Sequence, residues 1–371
     1  MRVWYLTNIA APYRVNFFNE LGKQCELTVV FERIDALDRE KEWISNKFLN
    51  FRGVFLHGKS IGTEQALCFD VLKILKQEKF DIYIIGGYST PTGMLCIRFF
   101  KRNKFKFIIN YDGGFIKREN IIKRKLKKYL ISSASAWLSS GKESNKSLIY
   151  YGARSADIFE YPFTSIYEKD IINHPLTKRE KKVIRNKLNI SEENIVLSVG
   201  QIIYRKGFDL LIRAAALGNS NIGYYIIGGR PTEELENLIN ELRLNNIHFI
   251  PFMKKDELYE YYKAADVFVM PTREDIWGLV INEAMANGLP IISSDRCIAG
   301  MELVHPLENG YVVASERPEQ YAKAIKSVID SDLIKMGMAS LNYITDYTIE
   351  NMVNVHLRIM ESFYENHHKG K

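Results

Sequence analysis

Residues 270–293 read MPTREDIWGLVINEAMANGLPIIS, and the prediction of the fold starts from these residues. The apolar run that ends at Met270 predicts a buried strand, and residues 279–287 predict a helix that Gly288 ends. A strand, a loop and a helix in this order are typical of a parallel α/β sheet, which binds ligands at the carboxyl ends of its strands. The first N–H groups of such a helix attract anions. We therefore expect a ligand-binding loop at residues 271–278.

This loop is acidic, because it carries Glu274 and Asp275, and Glu283 follows inside the helix. Carboxylates accept hydrogen bonds from sugar hydroxyls while a helix N-terminus holds phosphate, so the loop suits a nucleotide sugar better than a bare nucleotide. The alternative is that Glu274 and Asp275 only favour the helix dipole and that Glu283 is a solvated helix residue.

The spacing of these acids carries a resemblance to a known family. Asp275, seven residues, Glu283 and the following AMANGLP resemble the acid-x7-acid signature of retaining GT-B-fold glycosyltransferases, family 4 in particular. The family usually has Glu at the first position, where this chain has Asp275 with Glu274 beside it. The resemblance implies that Glu283 holds the ribose hydroxyls of the donor and that Asp275 or Glu274 holds the donor sugar. The spacing counted back from Glu283 places Asp275 at the first acidic position of the signature, which favours Asp275 as the residue that holds the donor sugar.

The composition is that of an ordinary globular protein. The chain has 371 residues, of which 46% are hydrophobic and 26% charged, and this length predicts two domains. No apolar run reaches the roughly 18 residues that a membrane span needs. Residues 1–7 predict a first strand rather than a secretory signal, so we expect a cytoplasmic protein. The four cysteines lie far apart, which predicts buried thiols rather than a zinc site or disulfides.

Apolar runs alternate with amphipathic segments in two sets. The first set predicts strands at residues 3–7, 27–31, 82–86, 107–110 and 136–139, and the second predicts strands near Ile195, Tyr224, Ile247, Val267, Ile291 and Tyr311. Together they predict the α/β class, with two Rossmann-like parallel-sheet domains facing a central cleft (GT-B). The expected domains are an acceptor domain at residues 1–163 and a donor domain at 164–345. A C-terminal helix at about 346–371 is expected to pack back on the first.

A second motif follows the first strand of the donor domain. Residues 199–211 read VGQIIYRKGFDLL, in which Arg205 and Lys206 can neutralise a pyrophosphate. The glycosyltransferase family has a basic residue followed by Lys-Gly at this place. The same resemblance implies that Gly229 lies beside the donor and that Phe252 contacts its base. In the first domain, loops 8–14, 86–90 and 111–115 would line the acceptor side, with Asp112 as the candidate residue.

Eleven cations lie between Lys101 and Lys128. Such a cluster is typical of a solvated face, of a surface for anionic membranes or of a nucleic-acid site. The chain lacks a known nucleic-acid-binding motif, and the cluster has few interleaved aromatic residues, so we expect no nucleic-acid partner.

Two other motifs are interpreted as accidental. Residues 53–60 fit the P-loop pattern, but the residues between the glycines are apolar and no helix is predicted to start at Lys59. Asp330 and Asp332 form an Asp-x-Asp motif between helical segments, which predicts a helix junction rather than a metal site.

The sequence therefore predicts a retaining glycosyltransferase with a UDP- or GDP-sugar donor and a saccharide or lipid-linked saccharide acceptor, in bacterial surface polysaccharide synthesis. No cofactor or metal is expected, because Arg205, Lys206 and the N–H groups of Gly278, Leu279 and Val280 would stabilise the leaving diphosphate. An anionic membrane is a further expected partner, at the inner face of the membrane. The alternatives are an epimerase or phosphorylase on the same fold and a non-enzymatic nucleic-acid binder.

Overall fold

The computed structural model describes residues 1–33, 48–61, 65–218 and 221–368. The chain divides into two compact units. Unit 1 contains residues 1–165 and 348–371, and unit 2 contains residues 166–347. Each boundary lies two residues after the predicted one, and the C-terminal helix belongs to unit 1.

Unit 1 is built on a parallel sheet, which has seven strands among the described residues, in the order β3-β2-β1-β6-β7-β8-β9. Its strands and a separate antiparallel hairpin, β4-β5, have the following bounds: β1 (Arg2–Thr7), β2 (Glu26–Phe31), β3 (Arg52–Phe55), β4 (Lys59–Ile61), β5 (Gln65–Leu67), β6 (Ile82–Ile85), β7 (Ile108–Tyr111), β8 (Ala136–Ser139) and β9 (Ile158–Glu160). The five predicted strands are confirmed. The sequence did not predict β3, β9 or the hairpin, whose strands are no more than four residues long.

Six helices of the described chain belong to unit 1: α1 (Pro12–Leu21), α2 (Val71–Gln77), α3 (Pro91–Arg102), α4 (Ile121–Ile131), α5 (Lys142–Tyr150) and α14 (Ile349–His368). Aromatic residues fill much of the core, and Trp4 and Trp137 are fully buried. Helix α14 packs against α1, where the ring of His356 lies 4.7 Å from that of Phe17. The last helix therefore completes the core of the first unit.

Unit 2 is a second parallel sheet, six-stranded in the described residues, in the order β12-β11-β10-β13-β14-β15. Its strands are β10 (Asn194–Val199), β11 (Ile222–Ile227), β12 (Ile247–Ile250), β13 (Val267–Met270), β14 (Ile291–Ser294) and β15 (Gly310–Val313). Its helices are α6 (Lys178–Lys187), α7 (Phe208–Ala216), α8 (Glu233–Glu241), α9 (Lys255–Ala264), α10 (Leu279–Ala286), α11 (Ile298–Leu303), α12 (Pro318–Ile329) and α13 (Leu333–Ile344). All six predicted strands are confirmed.

The strand order places a switch point between β10 and β13. From β10 the chain adds β11 and β12 on one side, and it then returns to add β13, β14 and β15 on the other. At such a point the loops that follow two adjacent strands diverge and leave a crevice at the carboxyl edge of the sheet. The loops that follow β10 and β13 are the two segments that the sequence analysis singled out.

Helix α6 is the first helix of unit 2. It starts at Lys178, where Thr177 caps it and forms a capping box with Glu180. Residues 173–177 include Pro175, which disfavours helical geometry in the residue before it.

Buried ion pairs hold this charged helix to the sheet. The Nζ atom of Lys181 lies 3.2 Å from Oδ1 of Asp266, and Nη2 of Arg185 lies 2.7 Å from Oδ2. All three residues are buried. The backbone N–H of Ile195 also donates to Asp266, at 2.8 Å. An ionic anchor thus takes the place of the apolar stripe that a packed helix ordinarily uses.

The structure agrees with the rejection of the two accidental motifs. Gly53 lies inside β3, and Lys59 begins strand β4 rather than a helix. Asp330 ends α12 and Asp332 caps α13, so the Asp-x-Asp motif is a helix junction.

The predicted burial of the cysteines is confirmed for three of the four. None of the four cysteines forms a disulfide, and Cys68, Cys96 and Cys297 are buried while Cys25 is partly buried. Within the described ranges, no helix is both long enough and apolar enough to cross a bilayer.

Candidate functional site

The loops after β10 and β13 meet through their backbones. The N–H of Arg273 donates to the Arg205 carbonyl at 2.8 Å, and the hydroxyl of Thr272 donates to the same oxygen at 2.9 Å. Gly207 makes this approach feasible, because its φ is +71° and a Cβ there would collide with the Pro271 carbonyl. Hydrogen bonds to the Arg205 carbonyl therefore join the basic segment to the acidic loop.

The contact between these two loops brings three predicted site residues together. Nζ of Lys206 lies 2.6 Å from Oδ2 of Asp275, and Nη1 of Arg205 lies 3.7 Å from the same oxygen. The side chains of Lys206 and Asp275 are 13% and 15% exposed, whereas that of Arg205 is 46% exposed. Lys206 and Asp275 thus form a partly desolvated ion pair, and Arg205 lies at its solvent side.

The backbone around the two neighbouring acids is extended. The N–H of Asp275 donates to the Arg296 carbonyl at 2.7 Å, and its carbonyl accepts from the Ile298 N–H at 3.4 Å. Adjacent side chains of an extended segment point to opposite sides. Asp275 directs its carboxylate to Lys206, whereas Glu274 contributes its carbonyl oxygen, which accepts from Arg205 Nη1 at 2.7 Å. This geometry favours Asp275 as the acid beside the cations.

Helix α10 begins beside this pair. Gly278 caps it with a φ of +100°, and a Cβ there would lie 2.6 Å from the sulfur of Cys297. The first N–H groups of a helix have no intrahelical acceptor, so those of Leu279 and Val280 are candidate donors to phosphate. The Trp277 carbonyl accepts from the Ala299 N–H at 2.9 Å, which ties the helix start to α11.

Cys297 lies beneath the loop as a neutral thiol. Burial, and then the nearby Asp275 carboxylate, raise the pKa of Cys297 to about 12. The Sγ atom donates to the Trp277 carbonyl at 2.9 Å. A thiol with so high a pKa is a weak nucleophile, which indicates a structural role.

Glu283 is fixed by a residue that the sequence analysis did not single out. The hydroxyl of Tyr262, on α9, donates to Oε2 of Glu283 at 3.1 Å. Tyr262 is fully buried, and burial followed by the Glu283 carboxylate raises its pKa well above the ordinary value. The tyrosine therefore stays protonated and keeps donating to Glu283. Their separation of 21 residues leaves no local pattern that pairs them.

The glycine turn after β11 differs in its chemistry from an anion-binding turn. Gly228 and Gly229 have φ values of +139° and +157°, and both N–H groups donate to the Ile250 carbonyl, at 3.0 and 3.3 Å. A Cβ on Gly228 would collide with the Gly200 carbonyl. The turn thus allows close backbone approach but offers no spare N–H from these two residues. Phe252, which follows β12, is 44% exposed.

Arg273 is the main feature of this site that the sequence analysis missed. Its guanidinium donates to both carboxylate oxygens of Asp209 at 2.7 Å and to Oε1 of Glu316 at 2.5 Å. It also donates to the Tyr204 carbonyl at 2.9 Å, and it lies 3.9 Å above the Tyr204 ring. Arg273 therefore joins the acidic loop to the turn that presents Arg205.

In unit 1, the carboxylate of Asp112 is surrounded by donors. Oδ2 pairs with Arg14, and Oδ1 accepts from the Tyr161 hydroxyl at 2.7 Å and from Asn110 Nδ2 at 2.5 Å. Arg14 is 4% exposed, and the Asp112 side chain is 27% exposed. This arrangement fixes the carboxylate as an oriented hydrogen-bond acceptor. Asp112 was predicted from the sequence, and Arg14 lies in the predicted acceptor loop 8–14, but the contacts of Asp112 with Arg14, Tyr161 and Asn110 were not predicted.

No group of three or more His, Cys, Asp or Glu residues is placed to hold a metal ion in the parts of the chain that the structure describes. Metal-independent chemistry remains a prediction.

Comparison with known proteins locates the resemblance mainly in unit 2. Residues 180–346 match the family model described as Glycosyl transferases group 1. An uncharacterized glycosyltransferase of Haemophilus influenzae is 30% identical over 176 residues, which cover 46% of this chain and 49% of the relative. The lipopolysaccharide core biosynthesis glycosyltransferase LpsE of Rhizobium meliloti is 27% identical over 197 residues, which cover 52% of this chain and 57% of LpsE. The chain thus spans about half the length of these curated relatives.

Solved structures extend the likeness to the whole fold. Anabaena HepE in complex with UDP superposes with a TM-score of 0.77 at 17% identity, covering 98% of this chain and 99% of HepE. Residues 180–346 thus match the group 1 glycosyl transferases, and the chain has the GT-B fold, with two parallel-sheet α/β domains.

Proposed function

We propose that this chain is a glycosyltransferase that moves a sugar from a nucleoside diphosphate sugar to a hydroxyl acceptor, with retention of anomeric configuration. The observation that carries the proposal is the ion pair of Lys206 and Asp275, 2.6 Å apart at the switch point, with Arg205 3.7 Å from the same carboxylate. A cation for phosphate and an acid for sugar hydroxyls are adjacent there, as a nucleotide sugar requires.

The roles of the site residues follow from the charge that develops when the donor is cleaved. Cleavage of the sugar–diphosphate bond leaves negative charge on the diphosphate, and preorganised donors stabilise it. Lys206, Arg205 and the first N–H groups of α10 supply such donors. Asp275 accepts hydrogen bonds from the sugar as its ring gains positive character, and Glu283, held by Tyr262, accepts from the ribose hydroxyls.

We propose a UDP-sugar as the donor, with uracil as its base, and a GDP-sugar as the alternative. HepE, whose fold this chain shares, has been solved with UDP. Phe252, exposed at the end of β12, is the residue that we assign to base stacking. Cations take the place of a metal in this scheme, so activity should survive EDTA.

The acceptor that we propose is a saccharide or lipid-linked saccharide of a bacterial surface polysaccharide, at the inner face of the membrane. The match to a lipopolysaccharide core glycosyltransferase supports this assignment. Asp112, oriented by Arg14 and Tyr161, is the acceptor-side residue in unit 1.

A thermal-shift panel of nucleotide sugars tests the donor assignment. A ligand at 100 times its Kd adds about 2.7 kcal/mol of stability, so UDP- or GDP-sugars should raise Tm. Transfer to an acceptor with and without EDTA, and the anomeric configuration of the product by NMR, test the finer points. Donor turnover without any acceptor would instead indicate an epimerase, and no shift with any nucleotide sugar would contradict the proposal.

A further inference from the structure

Helix α4 is buried only at its C-terminal end. Of its eleven residues, Leu130 and Ile131 are buried, and the first six are all exposed. Glu119, which precedes the helix, ties the segment to unit 1, because its carboxylate accepts from the hydroxyl of the buried Tyr151 at 2.9 Å and lies 2.5 Å from Nζ of Lys127. The side chains of the N-terminal half of the helix are therefore exposed to solvent.

One exposed face of α4 is apolar along its length. Ile122, Leu126 and Tyr129 are 81%, 42% and 45% exposed, and their spacing of four and three residues puts them on one helix face. Ile116 and Ile121, which are 50% and 63% exposed, lie at the start of the segment. A surface helix of a globular protein ordinarily turns such a stripe toward the core. This stripe faces solvent instead.

Cations surround the stripe. Residues 116–131 carry seven Lys and Arg residues and a single carboxylate, Glu119, which is paired with Lys127. The Nζ atom of Lys101, in the last turn of α3, lies 4.1 Å above the ring of Tyr129. An apolar stripe within a strongly basic segment is the composition of helices that lie in the headgroup layer of a membrane.

A depression at the start of the helix adds a place for an anionic group. It has a volume of about 290 Å³ and is lined by Ile116, Lys117, Arg118, Glu119, Arg124 and Tyr150. Three cations line a space that can admit a phosphate group, beside the Ile116 side chain, which favours apolar surroundings.

We infer that residues 116–131, here called the α4 face, dock unit 1 on an anionic bilayer. The aliphatic side chains of Ile122 and Leu126 enter the headgroup layer, the cations pair with lipid phosphates, and the depression holds one of them. The inference rests on the proposed function only in that a lipid-linked acceptor gives membrane docking a purpose.

The aliphatic stripe separates this assignment from a nucleic-acid site. Single-stranded nucleic acid is bound by stacking bases on aromatic residues, and Tyr129 is the single aromatic residue of α4. Isoleucine and leucine side chains have no ring on which a base can stack, whereas their transfer from water to the acyl boundary of a membrane is favourable.

Vesicle flotation of the full chain tests the inference, with phosphatidylcholine vesicles that contain or lack phosphatidylglycerol, at low and at high sodium chloride. We expect binding to the anionic vesicles that weakens with salt. A cation near such a surface contributes about fivefold in partitioning, so the variant Lys123→Gln/Lys125→Gln/Lys128→Gln should lose about a hundredfold. Ile122→Ser/Leu126→Ser should lose about tenfold or more, because burial of each aliphatic chain is favourable.

Matched substitutions in unit 2 serve as controls. Lys323 and Lys326 are exposed on α12, and Leu217 is 64% exposed after α7. Lys323→Gln/Lys326→Gln and Leu217→Ser should bind vesicles as the unchanged chain does. All variants should keep the thermal shift that UDP gives the unchanged chain, so that loss of docking is distinguishable from loss of the donor site. Absence of binding to anionic vesicles at low salt, or unchanged binding by Ile122→Ser/Leu126→Ser, would overturn the inference.

Discussion

The ammonium of Lys206 lies 2.6 Å from the carboxylate of Asp275, so the phosphate candidate and the sugar candidate neutralise each other. A diphosphate that binds at this place competes with Asp275 for the same cation. The two roles are therefore coupled, and a change at either residue should alter both nucleotide binding and turnover.

The first prediction separates the two acids. Asp275→Asn should lower kcat severely, because the sugar loses a carboxylate as positive charge develops, yet it should tighten UDP binding several-fold, because Lys206 loses its competitor. Isothermal titration with UDP and steady-state kinetics measure the two effects. Glu274→Gln is the matched control and should change both quantities little. A larger kcat loss in Glu274→Gln would assign the sugar contact to Glu274.

The second prediction ranks the two cations. Lys206→Gln should weaken UDP binding by about 1.5–3 kcal/mol, the usual range for a hydrogen bond to a charged group. Arg205→Gln should weaken UDP binding less than Lys206→Gln does. The Arg205 side chain is 46% exposed against 13% for Lys206, and solvent screens exposed charges. Titration with UDP at fixed ionic strength gives both values. Unchanged affinity in both variants would remove the pair from the phosphate site.

The third prediction concerns Arg273, which does not belong to the proposed donor contacts. Arg273→Lys keeps the charge but loses the two-pronged bond to Asp209, so the turn at Arg205 should loosen. We expect weaker UDP binding together with a lower Tm. Arg296→Lys is the control, since the Arg296 side chain is 57% exposed and should affect neither measurement. An Arg273→Lys variant with unchanged UDP affinity would contradict the positioning role.

Most strands of the two sheets could be predicted, because an apolar run in the sequence indicates a buried strand without knowledge of its partners. The partners of the site residues could not. Arg14 is 98 residues from Asp112, and Arg273 is 64 residues from Asp209, so these pairs exist only because segments that follow different strands meet at one sheet edge. Even Lys206 and Asp275, both identified in the sequence, were assigned to different parts of the donor rather than to each other.

The fourth prediction concerns the buried anchor of α6. Removal of one partner from a buried ionic group leaves uncompensated charge, so Asp266→Asn should destabilise unit 2 by about 3–5 kcal/mol. Chemical denaturation, monitored by intrinsic fluorescence, measures this loss of stability. Asp330→Asn, at an exposed helix end, should change stability little. Equal stability of the two variants would show that Lys181 and Arg185 do not depend on Asp266.

The fifth prediction concerns two buried groups of unit 1 whose titrations change the stability of the unit in opposite directions as pH changes. Burial lowers the pKa of His356 to about 4, so its stabilising effect is complete above the ordinary value of 6.5 and is lost as pH falls toward 4. Burial raises the pKa of Glu32 to about 7, against the lowering effects of Thr90 and Arg33. Its stabilising effect is complete below the ordinary value of 4.5 and is lost as pH rises toward 7.

The two slopes should cancel between pH 4.5 and 6.5, the range in which both groups differ from their unfolded states. Relative to the unchanged chain, Glu32→Gln should lose about 1.4 kcal/mol of stability per unit of acidification, and His356→Gln should gain a similar amount. Denaturation of unit 1 at several pH values measures these differences. Parallel pH profiles for all three proteins would contradict the assignment of these two groups.

Helix α14 gives the chain an unusual order of assembly during translation. Unit 2 is continuous from residue 166 to residue 347, so all of its residues precede α14 in the chain. Unit 1 starts first but needs His356 and its neighbours to cover Phe17 on α1. Domains of nascent chains ordinarily fold from the amino terminus onward. Here the whole of unit 2 is synthesised before α14, so the face of α1 that carries Phe17 stays uncovered until α14 has been made.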